Sequence, residues 1–228
     1  VFRDIVNNEP PVLDFQSSGY GRRRSGTYDY VYDSDNGRFL DELSDSLALT
    51  KQILPDLLPL LNLDDYKGIM MDLLETMADS NLLQPKDYEA YFSKFLIEAK
   101  QELKKQSIAE KKRAIEKAEE SKKVKTPGDE DDDEDDDGDG NDNLHQYATL
   151  LMPFWDSNPS VPPLLQQMLR SNDKRLKYNT MILMMDKKKA YPDSLLTFFA
   201  SQEEYRYELY SDLKERKKLE LFPAKYNN

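Results

Sequence analysis

A dense run of carboxylates at residues 129–137 is the feature of this sequence with the clearest capacity for chemistry. Asp133, Asp135 and Asp137 occupy the first, third and fifth positions of a calcium-binding loop, and a glycine follows at the sixth. The twelfth position should be a bidentate glutamate, but it is Leu144. We therefore expect no EF-hand here, and only loose, unspecific binding of divalent cations by Asp133, Asp135 and Asp137.

Residue types that usually carry catalysis are scarce in this chain. It contains no cysteine, which excludes disulfides, thiolate metal sites and cysteine nucleophiles. His145 is the only histidine, and one histidine without cysteine cannot build an ordinary catalytic zinc site. No Gly-x-Ser-x-Gly turn is present to support a serine triad. The sequence therefore predicts no catalytic residues and no cofactor.

Two further clusters resemble ligand sites. Arg22–Arg24 could hold a phosphate, but the flanking Gly and Ser residues indicate an exposed loop, and the last glycine of a dinucleotide-binding fingerprint is missing. Tyr205, Tyr207 and Tyr210 resemble a ligand-binding box, yet aromatic packing between helices explains them with fewer assumptions. Neither cluster predicts a specific ligand.

The net charge of -12 is concentrated in one stretch. Residues 129–142 hold 11 of the 44 acidic residues, so the rest of the chain has 32 basic against 33 acidic residues. This balance lacks the basic surplus of a nucleic-acid-binding domain, and we expect no nucleic-acid partner. The acidic stretch itself could bind basic proteins, although the ten Lys and Arg residues between Lys100 and Lys125 can neutralise it within the chain.

The chain offers no segment that would cross a membrane. Its longest apolar run, Met181–Met185, has five residues, whereas a transmembrane helix needs ~20. The first residue is Val1 and not Met, so we expect the chain to be a segment of a larger protein.

Apolar residues recur at helical spacing over residues 37–105 and again over residues 144–220. Pro55 is predicted to end one helix and to open the next. Asp64 or Asp65, and later Asn172 or Asp173, are expected to cap helices through their side-chain oxygens. The inner face of the helix after Asp65 is predicted to consist of Tyr66, Ile69, Met70, Leu73, Leu74 and Met77.

Four segments are predicted from these patterns. They are an irregular Tyr- and Gly-rich lead at 1–36, helical repeats with a charged helix extension at 37–123, a disordered acidic linker at 124–143, and helical repeats at 144–228. In the lead, tyrosines alternate from Tyr28 to Tyr32, which is the period of a strand. The linker has no apolar residue that could offset the entropy of ordering it.

Helical stretches of the chain match one another. Leu57–Leu61 followed by Asp65 matches Leu165–Leu169 followed by Asp173. In addition, the pair Leu164 and Leu165 recurs 31 residues later as Leu195 and Leu196. Self-similarity at a fixed interval is typical of helical hairpins that bury their apolar faces by stacking.

Residues 164–183 resemble a HEAT-type repeat, in which a leucine helix, an Asp-containing turn and a basic residue precede a second helix. Asp173 lies at the turn, and Arg175 or Lys177 is the basic residue. The interval of 31 residues is shorter than the usual ~40–47. The resemblance covers both helical stretches and implies an all-α fold of stacked helical hairpins, a HEAT-like α-solenoid that serves binding or spacing.

The order of a Tyr-rich segment, helical repeats, an acidic insert and a Tyr-Arg-Tyr-Glu-Leu-Tyr ending also resembles helical regions of large bacterial envelope proteins. Some of those carry a TraB/GumN-like hydrolase domain elsewhere, so the resemblance implies a location in the cell envelope or periplasm. We expect a non-enzymatic scaffold that binds a protein partner. The alternatives are an acidic module for basic proteins or cations, and the accessory region of a hydrolase whose active site lies outside this chain.

Overall fold

The computed structural model describes Leu43, residues 46–120 and residues 142–226, and most of these residues are helical. No strand occurs in these ranges, in agreement with the all-α prediction. The predicted Tyr-rich lead, Arg22–Arg24 and the candidate cation ligands Asp133, Asp135 and Asp137 lie outside the described residues. None of the described helices is both long enough and apolar enough to cross a membrane.

The α-helices are α1 Leu47–Leu57, α2 Asp64–Asp79, α3 Pro85–Tyr88, α4 Phe92–Glu120, α5 Asp142–Leu151, α6 Val161–Met168, α7 Lys174–Asp186, α8 Ser194–Ser201 and α9 Glu203–Glu215. Short 3-10 helices span Leu58–Asn62, Glu89–Tyr91, Met152–Phe154, Leu219–Leu221 and Ala224–Tyr226. The described residues divide into two compact units, of which the first lies within residues 43–99 and 149–154, and the second within residues 100–120, 142–148 and 155–226.

The core of the first unit is built from leucine- and methionine-rich helices. All six residues predicted for the inner face of α2 are buried, which confirms that helix and its register. The prediction that Pro55 ends a helix is wrong, because α1 continues through it to Leu57. Proline inside a helix costs about 3 kcal/mol. The full burial of Leu54 and Leu57 on either side of it offsets that cost.

An aromatic cluster completes the first unit. Tyr88 is buried, and its hydroxyl donates to the carbonyl oxygen of Leu150 at 2.8 Å. The rings of Tyr88 and Phe92 lie 5.6 and 4.6 Å from that of Phe154. Residues 149–154 are thereby held to α3 by a hydrogen bond and a ring contact of Tyr88, and to the start of α4 by the ring contact of Phe92.

In the second unit, helices succeed one another through short connections. Residues 169–173 join α6 to α7, and Gln202 alone joins α8 to α9. Two prolines stand in the first turn of α6, where their missing N–H costs nothing. Asp173 caps α7, since its Oδ1 accepts from the backbone N–H of Leu176 at 2.9 Å. This is one of the two residues that the sequence predicted for the cap.

A ladder of polar contacts joins α7 to the region of α9. It consists of Lys174 with Glu204, Arg175 with Glu208, Tyr178 with Asp212, Arg216 with Asp186, and Lys218 with the carbonyl of Met185. The paired residues are 30 to 34 positions apart, and the contacts run from Lys174 with Glu204 at the start of both helices to Met185 and Asp186 with Lys218 and Arg216 at their ends. The two helices therefore run parallel. Their offset resembles the 31-residue interval of the sequence.

The packing of α9 differs in part from the prediction. Aromatic packing between helices was predicted for Tyr205, Tyr207 and Tyr210, but Tyr207 is 81% exposed. The buried residues of α9 are Tyr205, Leu209 and Leu213. Tyr205 packs 5.2 Å from the ring of Phe199 on α8, and this contact sets the rotation of α9.

Candidate functional site: a basic cleft

A cleft of about 450 Å³ lies in the second unit, between the middle of α4 and the C-terminal end of α6. Leu103 and Ile108 line it from α4, and Gln167 lines it from α6. Arg170 and Ser171 come from the connection that follows α6. The cleft thus combines a long helix with residues roughly sixty positions further along the chain.

Four cations line this cleft. Lys100, Lys104 and Lys111 are spaced four and seven residues apart, which places them on one face of α4, and Arg170 faces them from the connection. All four are exposed, and none makes an ion pair with a described side chain. The lysine row has no acidic residue three or four positions away on α4. These three lysines therefore cannot form ion pairs with carboxylates three or four residues away on their own helix.

Glu110 is the single acidic residue among the described residues that line the cleft. Its carboxylate is occupied by neighbours from the opposite wall, because it accepts from Ser171 Oγ at 3.3 Å and from Asn172 Nδ2 at 3.0 Å. Four cations against one hydrogen-bonded carboxylate leave the cleft strongly positive.

A hydrogen-bonded network beside the cleft fixes α4 to the start of α7. Gln106 Nε2 donates to Asp173 Oδ2 at 2.8 Å, while the other carboxylate oxygen of Asp173 caps α7. The backbone N–H of Asp173 donates to Ser171 Oγ at 3.1 Å. Gln106 Oε1 is buried without a hydrogen-bond partner in the described part of the chain. The cleft is preformed by contacts that need no ligand.

The chemistry of this arrangement is electrostatic recognition of anions. Lysine ammonium groups and an arginine guanidinium bind carboxylates or phosphates as charge-assisted hydrogen-bond donors. Within the described residues, no group of three or more His, Cys, Asp or Glu side chains is placed to hold a metal ion. The single histidine, His145, is half-buried in α5.

This cleft was not predicted from the sequence. The Lys and Arg residues between Lys100 and Lys125 were considered only as charges that can neutralise the acidic stretch, and Arg170 was not considered. One signal was present in the sequence, namely a row of lysines at helical spacing with no carboxylate within helical reach. The contribution of Arg170 could not be found in that way, because it depends on how α6 packs against α4.

Comparison of this chain with protein-family models, with curated proteins and with solved structures finds no match.

Proposed function

We propose that this chain is a non-enzymatic protein-interaction scaffold and that it binds an acidic segment of a partner protein in the basic cleft. The observation that carries the proposal is the row of four cations without ion-pair partners among the described residues. Groups of one charge held apart on a rigid surface attract an oppositely charged partner and guide its approach.

Stacking of helical hairpins would supply the rigid framework. The parallel arrangement of α7 and α9 and their offset of 30 to 34 residues support a HEAT-like repeat, with α6–α7 and α8–α9 as successive hairpins. In such an arrangement each helix is held by its neighbours, so the lysines of α4 keep fixed spacings when a partner arrives.

Capture from an extract of the native host tests the proposal with three versions of the full chain. One is the natural chain, and the second carries Lys100→Gln, Lys104→Gln and Lys111→Gln. The third is a matched control with the same loss of charge, carrying Lys187→Gln, Lys188→Gln and Lys214→Gln. These control lysines are exposed in the same unit, and no ion pair with a described side chain involves them.

We expect a partner that the natural chain and the control retain, and that the cleft variant retains about tenfold less. Exposed ion pairs contribute ~0.2–1 kcal/mol each, and 1.4 kcal/mol corresponds to tenfold in affinity. Equal retention by all three versions would contradict the proposal. The high density of carboxylates at residues 129–137 favours a second candidate function, the binding of basic proteins. That function predicts that neutralising those residues abolishes capture.

A further inference from the structure

We infer, on the basis of the proposed function, that the acidic partner segment is an amphipathic α-helix whose aliphatic residues cover Ile108 and Ile115. These two side chains of α4 are 57% and 60% exposed, and Ile108 lines the basic cleft. Single exposed apolar residues are common on protein surfaces. What distinguishes these two is their position relative to the cleft lysines.

Isoleucines and lysines alternate along one side of α4. Four residues follow one another at intervals of four, three and four positions, namely Lys104, Ile108, Lys111 and Ile115. These are the intervals at which a helix presents side chains to a second helix that lies alongside it. At ~1.5 Å per residue the row is ~16 Å long, which is the length of three helical turns. A partner helix of at least three turns therefore matches it.

The charges around this row require an acidic partner. Lys100 lies one turn before Lys104, and Arg170 lines the cleft from the connection after α6. The acidic residues of α4 between positions 100 and 115 lie outside the row. Of these, Glu102 pairs with Lys105 at 2.6 Å, and Glu110 accepts hydrogen bonds from Ser171 and Asn172. A helix alongside the row thus meets cations and isoleucines only.

The spacing favours a helical partner over an extended one. Ile108 and Ile115 are seven residues apart, as are Lys104 and Lys111, so each pair is separated by ~10.5 Å along the helix. Residues seven apart in a partner helix have the same separation and share a face. In an extended chain this distance corresponds to about three residues, and residues three apart point to opposite faces. An extended acidic segment therefore covers one member of each pair and misses the other.

Two other occupants fit the row less well. A second copy of this chain would bring Lys104 and Lys111 close to the same lysines, and like charges placed together at an interface oppose association. An anionic lipid surface attracts lysines and accepts isoleucines. A broad, flat surface, however, contacts the outer side of α4 and does not enter the cleft that Arg170 and Gln167 line.

Three synthetic peptides of about 18 residues, long enough to form a helix, serve as probes. The first carries leucines at intervals of three and four residues on one helical side, with glutamates beside them. The second contains the same residues in an order that spreads the leucines around the helix. The third has serine in place of each leucine. All three have the same net charge, so charge alone does not separate them.

Binding of each peptide is measured with four versions of the full chain. They are the natural chain, the variant with Gln at Lys100, Lys104 and Lys111, the variant with Ile108→Ser and Ile115→Ser, and a control with Leu49→Ser and Tyr207→Ser. The control residues also lie on helices, are 52% and 81% exposed, and do not line the cleft. Serine and isoleucine have similar helix propensities, so the substitutions should leave α4 intact.

We expect the natural chain and the control to bind the first peptide at least about tenfold more tightly than the other two. The isoleucine variant should bind all three peptides alike, and the lysine variant should bind each of them about tenfold less than the natural chain does. Far-UV circular dichroism should show a gain of helix when the first peptide binds. Its advantage over the other peptides should persist at 1 M salt, because apolar burial is not screened.

Equal binding of the three peptides by the natural chain would overturn the inference, and so would full binding of the first peptide by the isoleucine variant. The proposed function stands in both cases if the lysine variant still loses binding. Peptide binding that does not depend on the lysines would contradict the proposed function and the inference together. Sedimentation of the chain alone, and flotation with phosphatidylserine–phosphatidylcholine vesicles, complete the test. A dimer or vesicle binding that the isoleucine substitutions abolish would overturn the inference, because a second copy or a membrane would then cover the row.

Discussion

Thr50 and Thr180 are both fully buried on helices, but their hydroxyl groups have different surroundings. Thr50 Oγ1 donates to the carbonyl of Leu43 at 2.6 Å and also lies 3.2 Å from the carbonyl of Ser46. Thr180 Oγ1 has no hydrogen-bond partner in the described part of the chain. A buried polar group without a partner costs ~1–3 kcal/mol. The two threonines therefore contribute to stability with opposite signs.

Replacement by the similarly shaped valine separates these two cases. We expect Thr180→Val to raise the free energy of unfolding by about 1 kcal/mol, because it removes an unsatisfied hydroxyl. Thr50→Val should lower it by about 1 kcal/mol or more, because the hydrogen bond to Leu43 is lost. Urea unfolding of the two variants measures both values. A change of the same sign in both would show that the hydroxyl environments are not as described.

The contact of Tyr178 with Asp212 makes the stability of the fold depend on pH. Burial raises the pKa of the Tyr178 hydroxyl, and so does the carboxylate of Asp212, to which it donates at 2.6 Å. The folded state thus favours the neutral phenol. Its contribution to stability is present below the unfolded pKa of ~10 and is lost as the pH rises above that value.

We expect the natural chain to be more stable than its Tyr178→Phe variant at pH 7, and the difference to shrink as the pH is raised above about 10. Urea unfolding between pH 7 and 11 measures this difference. Tyr207→Phe is the control, since Tyr207 is 81% exposed and its replacement should change stability little at any pH. A difference for Tyr178→Phe that stays constant up to pH 11 would contradict the account of the Tyr178–Asp212 contact.

The starts of α7 and α8 allow a comparison at the scale of elements. Asp173 precedes α7 and caps it, whereas Asp193 precedes α8 without a side-chain hydrogen bond to the backbone. Loss of a capping side chain costs ~0.5–2 kcal/mol. Asp173 in addition accepts a hydrogen bond from Gln106 on α4. It therefore both caps α7 and connects α7 to α4.

Asp173→Ala should therefore lower the free energy of unfolding by about 1–2 kcal/mol, and Asp193→Ala should change it by less than about 0.5 kcal/mol. Thermal or urea unfolding of the two variants provides the comparison. The variant at Asp173 should also bind an acidic peptide more weakly, because the wall of the cleft that carries Arg170 loses one of its hydrogen bonds to α4. Equal destabilisation by both substitutions would rule out the capping role.

Much of the helical fold could be predicted from local patterns. The inner face of α2 and the cap of α7 were predicted because each depends on residues within one or two helical turns of one another. The inner face of α9 was missed. Spacings of three and four residues both fit a helix, so the sequence pattern alone does not show which tyrosine is buried. In the structure Tyr205 is buried against Phe199, and Tyr207 is exposed. The continuation of α1 through Pro55 likewise depends on burial, which no local rule contains.

At the scale of the whole molecule, the second unit brings together charges that are far apart in sequence. Arg170 and the lysines of α4 are separated by about sixty residues, yet they share one cleft because Gln106 and Glu110 bind the connection before α7. Composition could not reveal this site, because the chain outside residues 129–142 has almost no net charge. A positive surface arises here from placement and not from an excess of basic residues.

Hydrogen-exchange mass spectrometry of the full chain, with and without a captured partner, tests most directly that the cleft is the binding surface. Binding in the cleft should slow amide exchange in two stretches, residues 100–111 of α4 and residues 167–173 around Arg170. The Gln variant of Lys100, Lys104 and Lys111 should show neither change. Slower exchange confined to residues 129–142, or to the exposed side of α9 around Tyr207, would contradict the account and place the partner elsewhere.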